Sequence, residues 1–408
     1  METRIKTPEK DMRLLKDRSF IMVPFFYKEQ KPFAEFMKEN FEGFQKDVIY
    51  KEPLLNHVSG LYEQVQYYVE KVNFEEVQED DVALIKREIY LFPSKVGFYV
   101  SELEFGDKSE ATMQLEDKKK ISNYARMVTA LKDLVEYIEV KDEKFESEWK
   151  DDPRFWQIGE KTREAMAVFK EEQPSCILFH ALAEELEDRD AYDFRHINKL
   201  GTLSKEAIPR GNEEVEAKLE IDKVHSCQLS VKCMAMTISL SKENARKRED
   251  IYFYQKNYIH NSFLLFLLLH HERQVLIKCK KDTVELKATS YSWWEKALYS
   301  LQKKPVNSVG SIKSNILDCL SLYGFETVSD DAITQLIYAK YRKVLKIPQM
   351  EEAMSNLVFK LDDEIGKEKD EKMNTLTFWI TVLGITSAVS AVMDIISRVM
   401  TYMTPPGQ

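Results

Sequence analysis

Glycine and proline are scarce, 12 of each in 408 residues, and no repeat or low-complexity tract interrupts the chain. That scarcity excludes collagen-like and linker-rich architectures. It leaves a folded, helix-leaning composition, 44% hydrophobic and 31% charged, with material for two domains. Cysteine is also scarce: five residues at positions 176, 227, 233, 279 and 319, with no paired spacing. This argues against a disulfide framework and suits reduced thiols in cytosol. His225, Cys227 and Cys233 have no second ligand pair at finger spacing, which weighs against zinc. Positive charge is in deficit, 59 Lys and Arg against 69 Asp and Glu, for a net charge of −10. Phosphate contacts need a basic surplus on one face, so direct nucleic-acid binding is not expected. Lys118-Lys119-Lys120 and Arg246-Lys247-Arg248 sit beside acids and read as solvated helix ends. The charged N-terminus has no apolar core of signal-peptide length, so the body is expected to stay on the side of synthesis.

Enzyme signatures are missing as well. There is no Gly-x-x-x-x-Gly-Lys loop, no Gly-x-Gly-x-x-Gly, no Gly-x-Ser-x-Gly and no His-Glu-x-x-His. His270-His271-Glu272-Arg273 imitates the last, but adjacent histidines cannot ligate from one helical face, and the group reads as a polar cap on an apolar run. The chain is therefore expected not to be an enzyme. The acids Glu184, Glu185, Glu187, Asp188 and Asp190 read as a solvated face, with a cation site between subunits as the alternative.

The pattern that is present divides the chain in two. Ser19 to Tyr27, broken by Pro24, reads as an edge or bulged strand. Ile89 to Phe92 and Val96 to Ser101 flank Pro93-Ser94-Lys95 and read as a hairpin. Helical spacing is read over Leu55 to Val72, over Lys118 to Ile138 and over Cys176 to Leu186, and residues 214–241 lean towards strand. From Asp250 long helices follow. Ile251 to Leu286 carries the seven apolar residues Phe263 to Leu269, too few to span a bilayer and so expected to be a buried helix. Beyond a break at Pro305 to Gly310, helices are expected from Ile312 to Tyr323 and, capped at Ser329, to Leu345. Pro348 opens a stalk with Met350, Met354, Leu357, Leu361 and Ile365 on one face.

The stalk leads into Met373 to Met393, 21 residues without a charged side chain, or roughly 31 Å as a helix. That length matches one bilayer core. Phe378, Val382, Ile385, Val389, Val392 and Ile396 make a bulky face; Asn374, Thr377, Thr381, Gly384, Ala388 and Ala391 make a small or polar one. Seven of the 21 residues are Asn, Thr or Ser, which suits an assembled segment better than a lone anchor. The small face reads either as a Gly384-x-x-x-Ala388 packing contact or as a conduit lining, and Asp394 either as a carboxylate collar or as an ion-pair partner of Arg398. Lys360, Lys367, Lys369 and Lys372 precede the run, so positive-inside bias keeps the body cytoplasmic.

The last third resembles the CorA-type divalent-cation channels. The residues that carry the resemblance are Lys372-Met373-Asn374-Thr375-Leu376-Thr377 and Thr381-Val382-Leu383-Gly384, with Leu264 to Leu276 similar to a helix of divergent members. The resemblance implies a homopentamer with Asn374, Thr377, Thr381 and Gly384 facing a pore, and magnesium as the permeant or regulatory ion. The family's Gly-Met-Asn signature and its second membrane helix are absent from this sequence. Divergent members without that signature resemble membrane effectors of nucleotide-signalled antiviral defence, of the kind associated with CRISPR systems, which would imply a small nucleotide ligand.

These readings combine into an α+β chain. Residues 1–245 form a cytoplasmic α/β domain, 246–372 a helical stalk region, 373–403 a single transmembrane helix in the inner or plasma membrane, and 404–408 a tail. The expected function is an oligomeric, lipid-embedded channel or permeabilising effector gated by its cytoplasmic body. The expected pore lining is Asn374, Thr377, Thr381, Gly384, Ala388, Ala391 and Asp394. The alternatives are a membrane-anchored sensor or interaction protein without transport activity and an anchored enzyme with an unfamiliar site.

Overall fold

Arg13–Phe26 forms β1, a 14-residue strand that lies fifth among nine in one sheet. The computed structural model describes residues 13–28, 33–49, 53–71, 82–105, 123–140, 153–186, 217–220, 225–241, 248–288, 309–360, 363, 373–378 and 380–381. The other strands are β2 (Gln45–Asp47), β3 (Gln66–Lys71), β4 (Val82–Leu91), β5 (Val96–Phe105), β6 (Ile177–Leu186), β7 (Ala217–Glu220), β8 (His225–Leu229) and β9 (Cys233–Ser241). Their order across the sheet is β2-β3-β4-β5-β1-β6-β9-β8-β7. Among these neighbours β6 and β9 run parallel and every other pair is antiparallel.

Alternation along β1 sends side chains to two covered faces. Ile21, Val23 and Phe25 join Ile89, Leu91, Tyr99, Leu103 and Leu178 on one face, where they pack with α1 (Phe33–Asn40), α3 (Asn123–Val140) and α4 (Pro153–Val168). Phe20, Tyr90, Phe92 and Phe179 occupy the other face and meet rings of α5 (Arg248–Ala288): Phe20 stacks on Phe263 at 4.5 Å and Phe92 on His271 at 4.0 Å. A sheet covered on both faces explains why α5 is buried through Phe263 to Leu269.

Several sequence expectations are corrected here. The strand of Ser19 to Tyr27 is central, not an edge. Pro24 is tolerated because the β6 register ends at Met22, so no ladder partner on that side needs its missing N–H. Leu55 to Val72 is not one helix: a short 3₁₀ turn at Pro53–Val58 and α2 (Ser59–Gln64) give way to β3, where Tyr67, Tyr68 and Val69 favour strand. Cys176 to Leu186 is not helical but is strand β6. Other expectations match. The β4–β5 hairpin turns at Pro93-Ser94-Lys95, with Lys95 at φ 65° and its N–H donating to the Phe92 carbonyl at 2.9 Å. Residues 217–241 rejoin the sheet as β7, β8 and β9.

The C-terminal expectation is also corrected. No helix among the described residues is long and apolar enough to cross a membrane. The single transmembrane helix and the single-pass location built on it are therefore not supported. Leu361 and Ile365 of the expected stalk lie outside the described residues, whereas Met350, Met354 and Leu357 lie on a helix over residues 347–360.

The chain forms two compact units. The first contains Met1–Lys278 and Tyr323–Met350, and the second Cys279–Leu322 and Glu351–Gln408. The first unit holds the sheet and α7 (Ala332–Val344). Asp331 caps α7, its carboxylate accepting from the Thr334 N–H at 2.7 Å. The second unit holds most of α6 (Val309–Tyr323) and of α8, the helix over residues 347–360.

Candidate functional site

The structure places Asn374, Thr377 and Thr381 on one helical stretch, all exposed. The Thr381 hydroxyl donates to the Thr377 carbonyl at 2.8 Å, so it is satisfied within its own helix. Beside them Met373, Leu376, Phe378 and Ile380 are 57–61% exposed. Gly384, Ala388, Ala391 and Asp394 lie outside the described residues, as do Glu187, Asp188 and Asp190 of the acidic run.

The densest polar chemistry lies instead on α5, where the fold converts the expected polar cap into a buried junction. His270 and His271 are fully buried and Glu272 nearly so. His270 Nε2 lies 3.0 Å from the Tyr341 hydroxyl of α7, and His271 Nε2 lies 2.8 Å from Ser94 Oγ in the β4–β5 turn. The Tyr338 hydroxyl sits 2.6 Å from Glu272 Oε1 and 2.7 Å from the Phe325 carbonyl, so one proton serves two acceptors. Arg342 Nε pairs with Glu272 Oε2 at 3.1 Å, and its guanidinium stands over the Tyr338 ring at 5.5 Å. Tyr62 closes the other side by donating to the Leu264 carbonyl. Burial holds both imidazoles neutral, His271 at about 3 and His270 well below its ordinary value, the latter helped by the Arg273 charge. The Tyr341 phenol is pushed well above its usual value, first by burial.

A second polar cluster occupies the sheet face that α5 covers, near its charged end. Lys86 Nζ bridges Glu88 Oε1 at 2.7 Å and Glu102 Oε2 at 3.3 Å, Arg18 approaches Glu102 at 3.4 Å, and the Tyr67 hydroxyl donates to Glu88. Burial raises the Glu102 carboxyl, while Lys86 and Arg18 partly offset it. Burial alone would lower the Lys86 ammonium, but Glu88 and Glu102 hold it raised. Two acids balance two cations, so the cluster is a neutral structural network and not a vacant ion site.

Sequence reasoning found the His-His-Glu run but not its partners, because Ser94, Tyr338, Tyr341 and Arg342 lie 66 to 177 residues away and carry no local signal. Lys86, Glu88 and Glu102 were legible only once β4 and β5 were in register. Among the described residues no group of three or more His, Cys, Asp or Glu is placed to hold a metal ion. Cys176, Cys227 and Cys233 are buried thiols outside any disulfide, and burial raises them far above the range of reactive thiolates. Comparison with known proteins finds no matching family model, no matching curated protein and no matching solved structure.

Proposed function

We propose that the protein is a non-enzymatic sensor and interaction protein whose second unit associates with copies of itself. One observation carries the reading. Of the eleven large hydrophobic side chains left exposed among the described residues, seven belong to the second unit: Leu317, Leu322, Phe359, Met373, Leu376, Phe378 and Ile380. Single exposed apolar side chains are ordinary, but concentration of this kind on one part of a chain marks an association surface. The uncharged composition of Met373 to Met393 supports self-association of this segment. Conduction would need a spanning segment, and no described helix supplies one.

Sedimentation velocity on the full chain tests the proposal. The double variant Leu376→Glu with Ile380→Glu removes two exposed apolar groups, and should shift the protein from an assembled species to the single chain. Identical sedimentation of parent and variant would remove the basis for placing the contact there.

A further inference from the structure

We infer that the turn of α5 bearing His270 and Arg273, together with Tyr341 of α7, is a binding site for a small carboxylate. The inference rests on the first unit alone, so its failure would leave the self-association reading standing.

Arg273 is the first observation. It follows His270 by three residues on α5, and positions three apart share a side of a helix. Its Nε is buried, and among the described residues Arg273 has no hydrogen-bond acceptor and no ion-pair partner. The adjacent acid is already taken, since Glu272 holds the Tyr338 hydroxyl at 2.6 Å and Arg342 at 3.1 Å. Burial pulls Arg273 below its ordinary value, and the influence that opposes burial comes from the Tyr341 phenol, not from a carboxylate. The guanidinium is thus a positive charge partly withdrawn from water with no counter-charge among the described residues. Such a charge is costly until an anion completes it.

Its neighbours supply the second observation. His270 and Tyr341 are fully buried, and the Arg273 charge acts on both. His270 Nε2 lies 3.0 Å from the Tyr341 hydroxyl; among the described residues His270 Nδ1 has no partner and the Tyr341 hydroxyl has no second one. Burial keeps the imidazole neutral, so it carries a single N–H. With the proton on Nδ1, that N–H has no acceptor. With the proton on Nε2, the ring donates to the Tyr341 oxygen and the Tyr341 O–H is the group left without one. Either tautomer leaves one buried donor unpaired beside the unpaired guanidinium.

The ligand class follows from the count. The turn lacks one negative charge and acceptors for two donors, one on Arg273 and one on the His270–Tyr341 pair. A carboxylate has one charge and two oxygens, and its plane matches the guanidinium fork. A phosphate dianion would bring a second charge, and the neighbouring Arg342 is committed to Glu272. Arg273 is half-buried and not enclosed, so a solute reaches it from solvent.

Thermal unfolding of the full chain at pH 7.5 in sodium acetate, sodium phosphate and sodium chloride of matched ionic strength decides the matter. Acetate should raise the melting temperature of the parent along a saturating curve, and chloride should not. Arg273→Gln removes the charge and should raise the acetate concentration at half-saturation about tenfold or more. Tyr341→Phe keeps the ring, removes the hydroxyl and should raise it by a smaller factor. Lys46→Ala on the edge strand β2 should leave it at the parent value. Equal melting of the parent in acetate and chloride would overturn the site, and so would a parent-like response of Arg273→Gln. Phosphate acting at the same concentrations as acetate would overturn the carboxylate assignment. Should Arg273→Gln fail to fold, a parent-like response of Tyr341→Phe overturns the site in its place.

Discussion

His180, His270 and His271 are neutral because burial leaves no room to solvate a charge, and that makes the fold sensitive to acid. His180 is fully buried with its Nδ1 2.9 Å from Ser19 Oγ, and is held at about 3 against an ordinary 6.5; His271 is held at about 3 and His270 is lowered in the same direction. The folded chain excludes the proton that the unfolded chain accepts. Stability is therefore fully present above pH 6.5 and is lost as the pH falls from there towards 3. His180 and His271 each contribute a slope of about 1.4 kcal/mol per pH unit within that window. Urea unfolding at pH 7.5 and pH 5.0 should show a lower midpoint at pH 5.0, and His180→Asn should flatten the difference; equal midpoints for the parent would contradict neutral burial. Gly97 makes a second residue-scale case. It faces Phe25 across β5 and β1, and an added Cβ would lie 2.4 Å from the Phe25 ring. Gly97→Ala should cost about 1–3 kcal/mol by overpacking, read as a lower denaturation midpoint.

At the level of elements, β1 and α5 are the two around which the first unit is built. Ile21, 1% exposed on the central strand, should cost about 2–5 kcal/mol as Ile21→Ala. Lys46→Ala on the exposed edge strand β2 should change stability by less than about 0.5 kcal/mol. Equal effects in the two would contradict the strand order. The α5 helix was legible because seven consecutive apolar residues sit inside a segment, Ile251 to Leu286, that holds no Gly or Pro and is far longer than a strand, while the run itself is too short for a bilayer. The β4–β5 hairpin was legible from its turn residues. β6 was not: Ile177-Leu178-Phe179 and Ala181-Leu182-Ala183 lack alternation, since the strand is covered on both faces and pairs in parallel with β9, and a strand in that setting reads like a buried helix. Pro24 misplaced β1 at the edge because sequence shows the missing N–H but not where the neighbouring strand stops. The buried junction was half visible, its α5 half as His-His-Glu and its α7 half as nothing more than tyrosines at helical spacing.

For the whole molecule, sequence and structure part at the C-terminus. An uncharged run of bilayer length and a K/R bias before it argued for a spanning helix, and the described helices do not supply one. What remains common to both is apolar, uncharged surface concentrated in the second unit. A net charge of −10 opposes non-specific association of the whole chain, which assigns the proposed self-association to that surface. The most direct measurement is the absolute mass of the full chain by multi-angle light scattering across a dilution series. The account predicts a concentration-dependent mass that rises to a whole multiple of 47.9 kDa. A mass fixed at that of one chain at every concentration would contradict it.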